Sequence, residues 1–284
     1  MRVDVGGGVR LFVDVDGAGW IPEGQSMRQR PTLLMLHGGP AMDSSLFRGS
    51  GLDELTDVAQ VVVYDHRGAG RSDWRSPQEW TLDTWADDVV RLCDVLGIVK
   101  PIVLGSSFGG MVAQRYLARH PGHPDRVVLA GTSARLDLDL VAACFAARGG
   151  DRAGAVALQY LAGDQSLAAD YDELCLPLYA IKPFEAERFA RVIANPDLDF
   201  HFTTEWNAMD LRSGLAQVTC PVLAIGGELD PICPLEAVRD VANALPSGLV
   251  RVIELQGASH LETAADDIAP FVRDFILESS QSQS

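Results

Sequence analysis

The chain has 284 residues, of which 47% are hydrophobic, so it is long enough to enclose a sizeable core in one large domain or two small ones. Its formal net charge of −16 argues against sequence-independent binding to nucleic acid and against binding to anionic lipid, because both require clustered lysine and arginine side chains. We therefore expect a folded globular protein that binds neither nucleic acid nor membrane.

The N-terminal region predicts strands followed by a loop. Residues 1–15 alternate polar and apolar side chains and include Asp4 and Asp14, unlike the uninterrupted apolar core of a secretory signal. A Gly-containing turn at 16–19 and a polar stretch to Arg30 follow, which together indicate an antiparallel pair of strands that ends in a loop. No segment approaches the roughly 18 consecutive apolar residues needed to cross a bilayer, so we expect a soluble, cytoplasmic protein.

From Pro31 onward, apolar segments of strand length alternate with segments of helical pattern. Nearly continuous runs of Val, Ile and Leu are typical of strands buried on both faces, so the sequence predicts an α/β fold with a mainly parallel sheet flanked by helices. The predicted strands are 32–36, 60–64, 101–104, 126–129, 222–225 and 249–255, and the predicted helices include 82–96, 234–245 and 264–277.

The alternation stops between Gly131 and Thr219, where Ala- and Leu-rich helical segments carry several aromatic residues. We interpret residues 134–219 as a helical cap inserted into a core domain made of residues 1–133 and 220–278. The polar tail 279–284 is predicted to be flexible. The five cysteines are scattered and form no C-x-x-C pair, so we expect buried free thiols and no metal or redox centre.

A serine at a predicted strand-to-helix turn is the strongest indication of chemistry. Residues 105–109 match G-x-S-x-G and lie between the apolar run 101–104 and the helical pattern 111–118. Such a turn exposes the hydroxyl of Ser107 and places it at a helix N-terminus, where backbone N–H groups and the helix dipole favour developing negative charge. The motif predicts Ser107, and not Ser106, as the nucleophile; without these flanking elements the same letters indicate only a Gly/Ser loop.

A base and an acid follow this serine in the chain. His260 comes after the last predicted strand, at the carboxyl edge of the sheet, where ligand sites of parallel sheets collect. Asp230 follows the predicted strand 222–225 at the same edge, and its carboxylate is expected to hold the imidazole in the tautomer that accepts the serine proton. Glu228 is a rival acid, less favoured because it lies nearer the end of that strand.

Donors for an oxyanion are predicted from the segment 37–40, His-Gly-Gly-Pro, which follows the strand 32–36. We expect the backbone N–H groups of Gly39 and Phe108 to form the oxyanion hole, and His37 to have a structural role in the loop. The alternative is a Gly-Gly-Pro turn with no catalytic role, which has the same local sequence pattern. No catalytic role is expected for His120 and His123, which follow the helix after Ser107, or for His201, which lies in the cap.

Three segments of this chain are similar to the signature segments of the proline iminopeptidase branch of the α/β-hydrolase superfamily. They are 37–40 (His-Gly-Gly-Pro), 64–72 (Tyr-Asp-His-Arg-Gly-Ala-Gly-Arg-Ser) and 105–110 (Gly-Ser-Ser-Phe-Gly-Gly). The resemblance covers most of the chain outside the cap. It implies an eight-stranded sheet, a helical cap over the active site, no cofactor, and release of N-terminal residues, often proline, from small peptides.

Two departures from this branch concern the substrate. Ala41 stands where family members usually have Gly, and Pro231 follows Asp230, although in these aminopeptidases acidic groups beside the catalytic acid and in the cap hold the substrate ammonium. Asp199 or Glu205 could supply a cap carboxylate, and Trp206 could contact the substrate. An apolar pocket could be lined by the cap aromatics Tyr160, Tyr171, Tyr179, Phe184, Phe189, Phe200, Phe202 and Trp206, although such residues more often form core.

The sequence therefore leaves three functions open. The first is a serine hydrolase that releases an N-terminal aminoacyl group from a small amide or short peptide. The second is an esterase or lactonase with the same machinery and an apolar acyl pocket. The third is a ligand-binding homologue with little turnover, which the presence of serine, acid and histidine disfavours.

Overall fold

An eight-stranded sheet forms the centre of the computed structural model, which describes residues 1–182 and 186–281. A second, two-stranded sheet lies in the N-terminal region. The strands are β1 (Arg2–Asp4), β2 (Arg10–Asp16), β3 (Trp20–Glu23), β4 (Ser26–Gln29), β5 (Thr32–Leu36), β6 (Gln60–Tyr64), β7 (Ile102–Ser106), β8 (Arg126–Ala130), β9 (Val222–Gly227) and β10 (Val250–Leu255).

The large sheet has the order β1-β2-β6-β5-β7-β8-β9-β10. The pairs β1–β2 and β2–β6 are antiparallel, and every neighbouring pair from β6 to β10 is parallel. All residues of β5, β7, β8 and β9 are buried, because helices cover both faces of the sheet. The prediction of a mainly parallel, eight-stranded sheet is confirmed.

The register of the parallel strands brings their carboxyl ends to one edge of the sheet. Leu36 of β5 pairs with Gly105 of β7, and Ser106 pairs with Ala130 of β8. β9 and β10 are paired along their whole lengths. The loops that leave these strands therefore meet at the same edge, where ligand sites of parallel sheets form.

Helices pack against both faces of this sheet. One apolar cluster joins α1 and α2 to one face, and a second joins α10 to the other face. None of the described helices is long and apolar enough to span a membrane. The helices are α1 (Leu82–Leu96), α2 (Phe108–Arg119), α3 (Leu138–Gly149), α4 (Asp151–Leu161), α5 (Ala168–Leu174), α6 (Ala186–Phe189), α7 (Pro196–Ala208), α8 (Arg212–Leu215), α9 (Leu235–Ala244) and α10 (Ala269–Gln281).

The N-terminal region contains a hairpin where the sequence predicts only a loop. β3 and β4 pair antiparallel around the turn at Gly24, which has φ 61°, a value in the left-handed region that favours glycine. Nearly all residues of this hairpin are exposed. A two-sided exposed hairpin has no alternation of apolar and polar residues, so the pattern that identifies half-buried strands is missing.

The C-terminal helix is interrupted, whereas the sequence predicts one helix over 264–277. A π-helical turn spans Glu262–Asp266, and α10 begins at Ala269. Pro270 is tolerated only in the first turn of a helix because its nitrogen carries no hydrogen. α10 continues through Gln281, and the last residues of the predicted tail, 282–284, lie outside the described residues.

Helices α3 to α8 lie between β8 and β9, in the segment 134–219 that we call the cap. A third apolar cluster packs α3, α4 and α5 together through residues such as Phe145, Val156 and Tyr171. The same cluster includes Ile232 and Cys233, which follow β9 in the core. The cap therefore shares apolar contacts with the loops at the carboxyl edge of the sheet.

Candidate active site

Ser107 occupies a strained turn between β7 and α2. Its φ of 52° and ψ of −117° lie in a region that residues with a side chain rarely adopt, and its N–H donates to Ala130 O at 2.9 Å. The glycines around it permit close packing, since a Cβ at Gly109 would lie 2.1 Å from Leu36 O and one at Gly105 would lie 2.5 Å from Gly109 O. The turn therefore holds the serine hydroxyl outward at the N-terminus of α2.

The imidazole of His260 bridges Ser107 and Asp230. Its Nε2 lies 3.0 Å from Ser107 Oγ, and its Nδ1 lies 2.7 Å from Asp230 Oδ2. The other carboxylate oxygen of Asp230 accepts the N–H groups of Ile232 at 3.0 Å and Cys233 at 2.8 Å. With Nδ1–H donating to the carboxylate, Nε2 is free to accept the proton of the serine hydroxyl.

Both partners of this imidazole–carboxylate pair are withdrawn from water. The Asp230 side chain is 0% exposed and that of His260 is 6% exposed, and the Tyr179 ring contacts the imidazole edge-on at a centroid distance of 5.2 Å. Glu228, the rival acid, is exposed and accepts the N–H of Gly257 at 2.9 Å. Of the two acids, Asp230 is the one that contacts the histidine.

The loop after β5 carries Gly39, one of the predicted oxyanion donors. Gly39 has φ 62° and lines the same cavity as Ser107 and Phe108. Phe108 is the first residue of α2, so its N–H has no acceptor within the helix. Both backbone groups are thus available at the cavity that contains the serine.

His37 fixes the start of this loop. Its Nδ1 donates to Gly38 O at 3.0 Å, and its Nε2 accepts the N–H of His66 at 3.0 Å. Complete burial lowers its pKa, so the ring is neutral, as this donor–acceptor pattern requires. His37 therefore anchors the loop and makes no contact with the Ser107 hydroxyl.

The signature segment 64–72 is hydrogen-bonded to the chain that follows the loop after β5. The buried carboxylate of Asp65 accepts the N–H of Ser44 at 2.9 Å and the N–H of Arg71 at 2.8 Å. A Cβ at Gly70 would lie 2.3 Å from Asp65 Oδ2, which explains why this position is a glycine.

The remaining histidines have partners away from Ser107. His120 contacts Asp87, His123 contacts Tyr116 and His201 contacts Trp80 O.

A cavity of about 300 Å³ lies over Ser107 and His260, and it is lined mainly by apolar atoms. Among the cap aromatics that the sequence suggests for such a pocket, Phe200 is 61% exposed and does not line the cavity, and Phe184 lies outside the described residues. The other six do line it, and they are Tyr160, Tyr171, Tyr179, Phe189, Phe202 and Trp206.

Two cap carboxylates reach the same cavity. Asp199 of α7 and Asp172 of α5 both line it. Burial raises the pKa of Asp199, and the nearby charge of Asp172 raises it further. Burial raises the pKa of the Tyr160 hydroxyl, and the two carboxylates raise it further. This end of the cavity is therefore negatively polarised.

The structure does not bring Glu205 to the cavity, which corrects one of the two carboxylate expectations. Its Oε1 accepts the N–H of Leu82 at 3.2 Å, at the start of α1. Asp199 and Trp206 lie seven residues apart and share a face of α7, whereas Glu205 is turned away from that face by the helical rotation. A carboxylate at a helix N-terminus is favourably placed for the dipole, so Glu205 stabilises α1.

Two charged residues that line the cavity, Arg188 and Asp172, were not singled out from the sequence. Arg188 of α6 lines the cavity and donates to Leu46 O at 2.8 Å and to Asp266 Oδ1 at 2.7 Å. Asp172 carries no sequence signal that separates it from solvated cap residues.

The cysteines are free, and Cys144 is half-buried whereas the other four are buried. No group of three potential metal ligands occurs among residues 1–182 and 186–281.

Comparison with known proteins identifies a family and several relatives of this chain. A family model described as the alpha/beta hydrolase fold matches residues 31–262. RutD of Caulobacter sp. (strain K31), provisionally named a carbamate hydrolase, is 28% identical over 263 residues, which cover 85% of this chain and 94% of RutD. The proline iminopeptidase PfmaB of Pestalotiopsis fici is 24% identical over 86% of this chain and 90% of PfmaB.

A solved structure has the same fold over the whole chain. The proline iminopeptidase of Mycobacterium smegmatis superposes with a TM-score of 0.78 at 21% sequence identity, and the match covers 100% of this chain and 99% of that chain. Proline iminopeptidases are thus among the relatives of this chain, as the three signature segments predict.

Proposed function

We propose that this chain, which belongs to the α/β-hydrolase family, is a serine hydrolase that forms an acyl-enzyme on Ser107. The observation that carries the proposal is the pair of contacts made by one imidazole, 3.0 Å from Ser107 Oγ and 2.7 Å from Asp230 Oδ2. Nucleophile, base and orienting acid within hydrogen-bonding distance are what nucleophilic acyl transfer requires.

The proposed reaction has two halves. His260 Nε2 accepts the Ser107 proton as Oγ attacks the substrate carbonyl carbon, and the N–H groups of Gly39 and Phe108 donate to the oxyanion of the tetrahedral intermediate. His260 then gives its proton to the leaving group, which departs and leaves the acyl-enzyme. In the second half the same imidazole deprotonates water, which attacks the ester carbonyl, and the imidazolium returns the proton to Ser107 Oγ as the carboxylic acid product leaves. Asp230 stabilises the imidazolium in both halves.

The carboxylates of the cap favour an acyl group that carries a cationic amine. Asp172 and Asp199 line the cavity that contains Ser107.

 A carboxylate about 4 Å from an ammonium group gains on the order of 4 kcal/mol at an effective dielectric constant near 20. Together with the relatives named proline iminopeptidases, this pair supports release of an N-terminal aminoacyl group from a small amide or short peptide.

A second candidate is hydrolysis of an uncharged ester or lactone. It is favoured by the mainly apolar lining of the cavity, which includes Met111, Leu161, Leu176 and Ile232. Pro231, the residue after Asp230, also lacks the carboxylate that the iminopeptidase branch uses beside its acid. An apolar acyl chain would fill this space without using Asp172 or Asp199.

One substrate panel separates these candidates. Purified protein is assayed with aminoacyl anilides, including proline anilide, with short p-nitrophenyl esters and with lactones, and kcat/KM is compared. We expect the anilides to be preferred; a faster reaction with esters or lactones would favour the second candidate. Labelling by a fluorophosphonate probe in wild type and in Ser107→Ala tests the serine mechanism itself, and equal labelling of the two proteins would refute it.

A further inference from the structure

Arg148, near the end of cap helix α3, contacts both of the loops that carry Asp230 and His260. Its Nη1 lies 2.6 Å from Leu229 O and 2.6 Å from Ser259 Oγ. Leu229 immediately precedes Asp230, and Ser259 immediately precedes His260. The same nitrogen also donates to Leu178 O in the cap. One guanidinium thus joins the cap to the two loops of the proposed acid and base.

Ser259 completes this junction. It is 0% exposed, and its hydroxyl donates to Leu178 O at 2.8 Å while it accepts from Arg148. Its N–H donates to Glu262 Oε2 at 3.1 Å. The residue before the imidazole is therefore held through both its side chain and its backbone.

Glu262 forms a second connection between the cap and the histidine loop. Its Oε1 accepts the N–H groups of Ile181 and Lys182 in the cap, each at 3.0 Å. Glu262 is 2% exposed, so these bonds form away from bulk water, where their strength is least reduced by solvent. The cap is thus hydrogen-bonded to the histidine loop before His260, through Ser259, and after it, through Glu262.

Arg148 is not among the residues that line the substrate cavity. It therefore makes no direct contact with bound substrate, and it acts on the reaction through the groups it holds and through the interaction of its charge with Asp230. Removal of its guanidinium would leave Leu229 O and Ser259 Oγ without this donor and release the spacing between the two loops. A misplacement of reacting groups by about 1 Å can lower a rate by roughly 100-fold.

We propose that Arg148 is a positioning residue that sets the distance between Asp230 and His260 when the cap is docked. The proposal rests on the serine-hydrolase function proposed above. It implies that the acid–base pair is competent only with the cap in place, because the cap supplies the group that bridges the two loops.

The test compares full-length wild type with Arg148→Met, Arg148→Lys and Arg126→Met. Arg126 is the matched control, since it is a buried arginine that donates to a backbone carbonyl, Phe275 O, at 2.7 Å, away from the cavity. The measurements are kcat and KM for the substrate preferred in the panel, and the rate of Ser107 labelling by a fluorophosphonate. We expect Arg148→Met to lower kcat and the labelling rate by about 10- to 100-fold with KM unchanged.

The two control variants distinguish positioning from general stability. Arg148→Lys retains a cation and several donors, so it should recover part of the lost rate. Arg126→Met should react at the wild-type rate even where its melting temperature falls. A wild-type rate in Arg148→Met, or an equal loss in Arg126→Met, would overturn the proposal. If Arg148→Met does not fold, Ser259→Ala removes the hydroxyl partner instead, and a wild-type labelling rate there would equally overturn it.

The failure of the proposed function would be recognised separately. If wild type is not labelled at Ser107, the serine-hydrolase function fails, and the downfield proton resonance of the His260 Nδ1–H···Asp230 bond then decides the role of Arg148. A loss or shift of that resonance in Arg148→Met, but not in Arg126→Met, supports positioning. An unchanged resonance refutes it.

Discussion

Oδ2 of Asp230 lies 2.7 Å from Nδ1 of His260, and both side chains are almost completely buried. The carboxylate cannot rotate freely, because its other oxygen accepts two backbone N–H groups, those of Ile232 and Cys233. The imidazole is therefore held with its proton on Nδ1 and its lone pair on Nε2. General-base catalysis by His260 requires this orientation.

Asp230→Asn should lower kcat by about 10⁴-fold while leaving the fold intact. An amide at this position presents an N–H in place of an acceptor, so the imidazole shifts to the tautomer that cannot take the serine proton. The measurement is kcat on the preferred substrate, with circular dichroism as the check on folding.

Glu228→Gln is the matched control for this variant. Glu228 is exposed and bonds to Gly257 N, with no contact to His260. We expect nearly wild-type kcat. Full loss of activity in Glu228→Gln, with activity retained in Asp230→Asn, would reassign the acid.

Ser107→Gly should be more stable than Ser107→Ala by about 1 kcal/mol, although both variants should be inactive. The backbone at this position has φ 52° and ψ −117°, which glycine adopts freely and alanine does not. The measurement is the free energy of unfolding in urea for both variants. Equal stabilities would show that the turn stores no strain.

Asp199→Asn should raise KM for aminoacyl anilides and leave KM for uncharged esters unchanged. In wild type, KM for the anilides should also rise as pH falls towards the pKa of Asp199, which burial and Asp172 raise above its ordinary value of 3.8. The charged form binds the ammonium, and protonation removes that charge. The measurement is KM against pH for both substrate classes.

Glu205→Gln serves as the control, because Glu205 accepts the N–H of Leu82 at the start of α1 and does not line the cavity. Its KM for the anilides should match that of wild type. If Asp199→Asn binds anilides as well as wild type does, the cap carboxylates have no part in amine recognition.

Asp199→Asn should also raise the stability of the fold at neutral pH. A carboxyl group whose pKa is raised in the folded state binds more protons there than in the unfolded chain, so its contribution to stability falls as pH rises from 3.8 through the folded pKa. Asparagine does not titrate and avoids this loss. Urea unfolding of both proteins should show an advantage for the variant at pH about 7 that shrinks towards pH about 4. An advantage that is independent of pH would contradict this explanation.

Asn195→Ala should lower the free energy of unfolding by about 1–3 kcal/mol, because it leaves the buried carbonyl of Gly68 without its donor. Asn195 is 1% exposed, and its Nδ2 lies 2.7 Å from Gly68 O. Its backbone N–H also donates to Ala41 O at 2.9 Å, next to the loop that carries Gly39. Alanine keeps this backbone bond, but the loss of the bond to Gly68 affects the segment 64–72, whose Asp65 holds the chain after the Gly39 loop, so we expect a lower kcat as well, measured beside the stability.

Asn207→Ala, in the helix α7 that begins directly after Asn195, is the control. Asn207 is exposed and donates to Leu161 O at 3.0 Å. Its replacement should change stability and kcat little. Comparable losses in both variants would mean that the contact to Gly68 has no special importance for the site.

The sequence by itself determined the parallel sheet and the position of the serine turn. β5, β6 and α1 have the predicted bounds, because buried strands and amphipathic helices carry periodic patterns that burial imposes locally. Gly105 is equally local, since a Cβ there would lie 2.5 Å from Gly109 O within the same turn. The hairpin of β3 and β4 left no such pattern, because nearly all of its residues are exposed.

The tertiary structure decided which side chains act together. Asp230 and Glu228 lie two residues apart, and only the folded loop shows that Asp230 contacts His260. Asp172 and Asp199 come from different helices of the cap and meet in one cavity. Arg148 reaches loops more than 80 residues further along the chain. Side-chain direction and long-range packing produce these contacts, and neither leaves a periodic signal in the order of the residues.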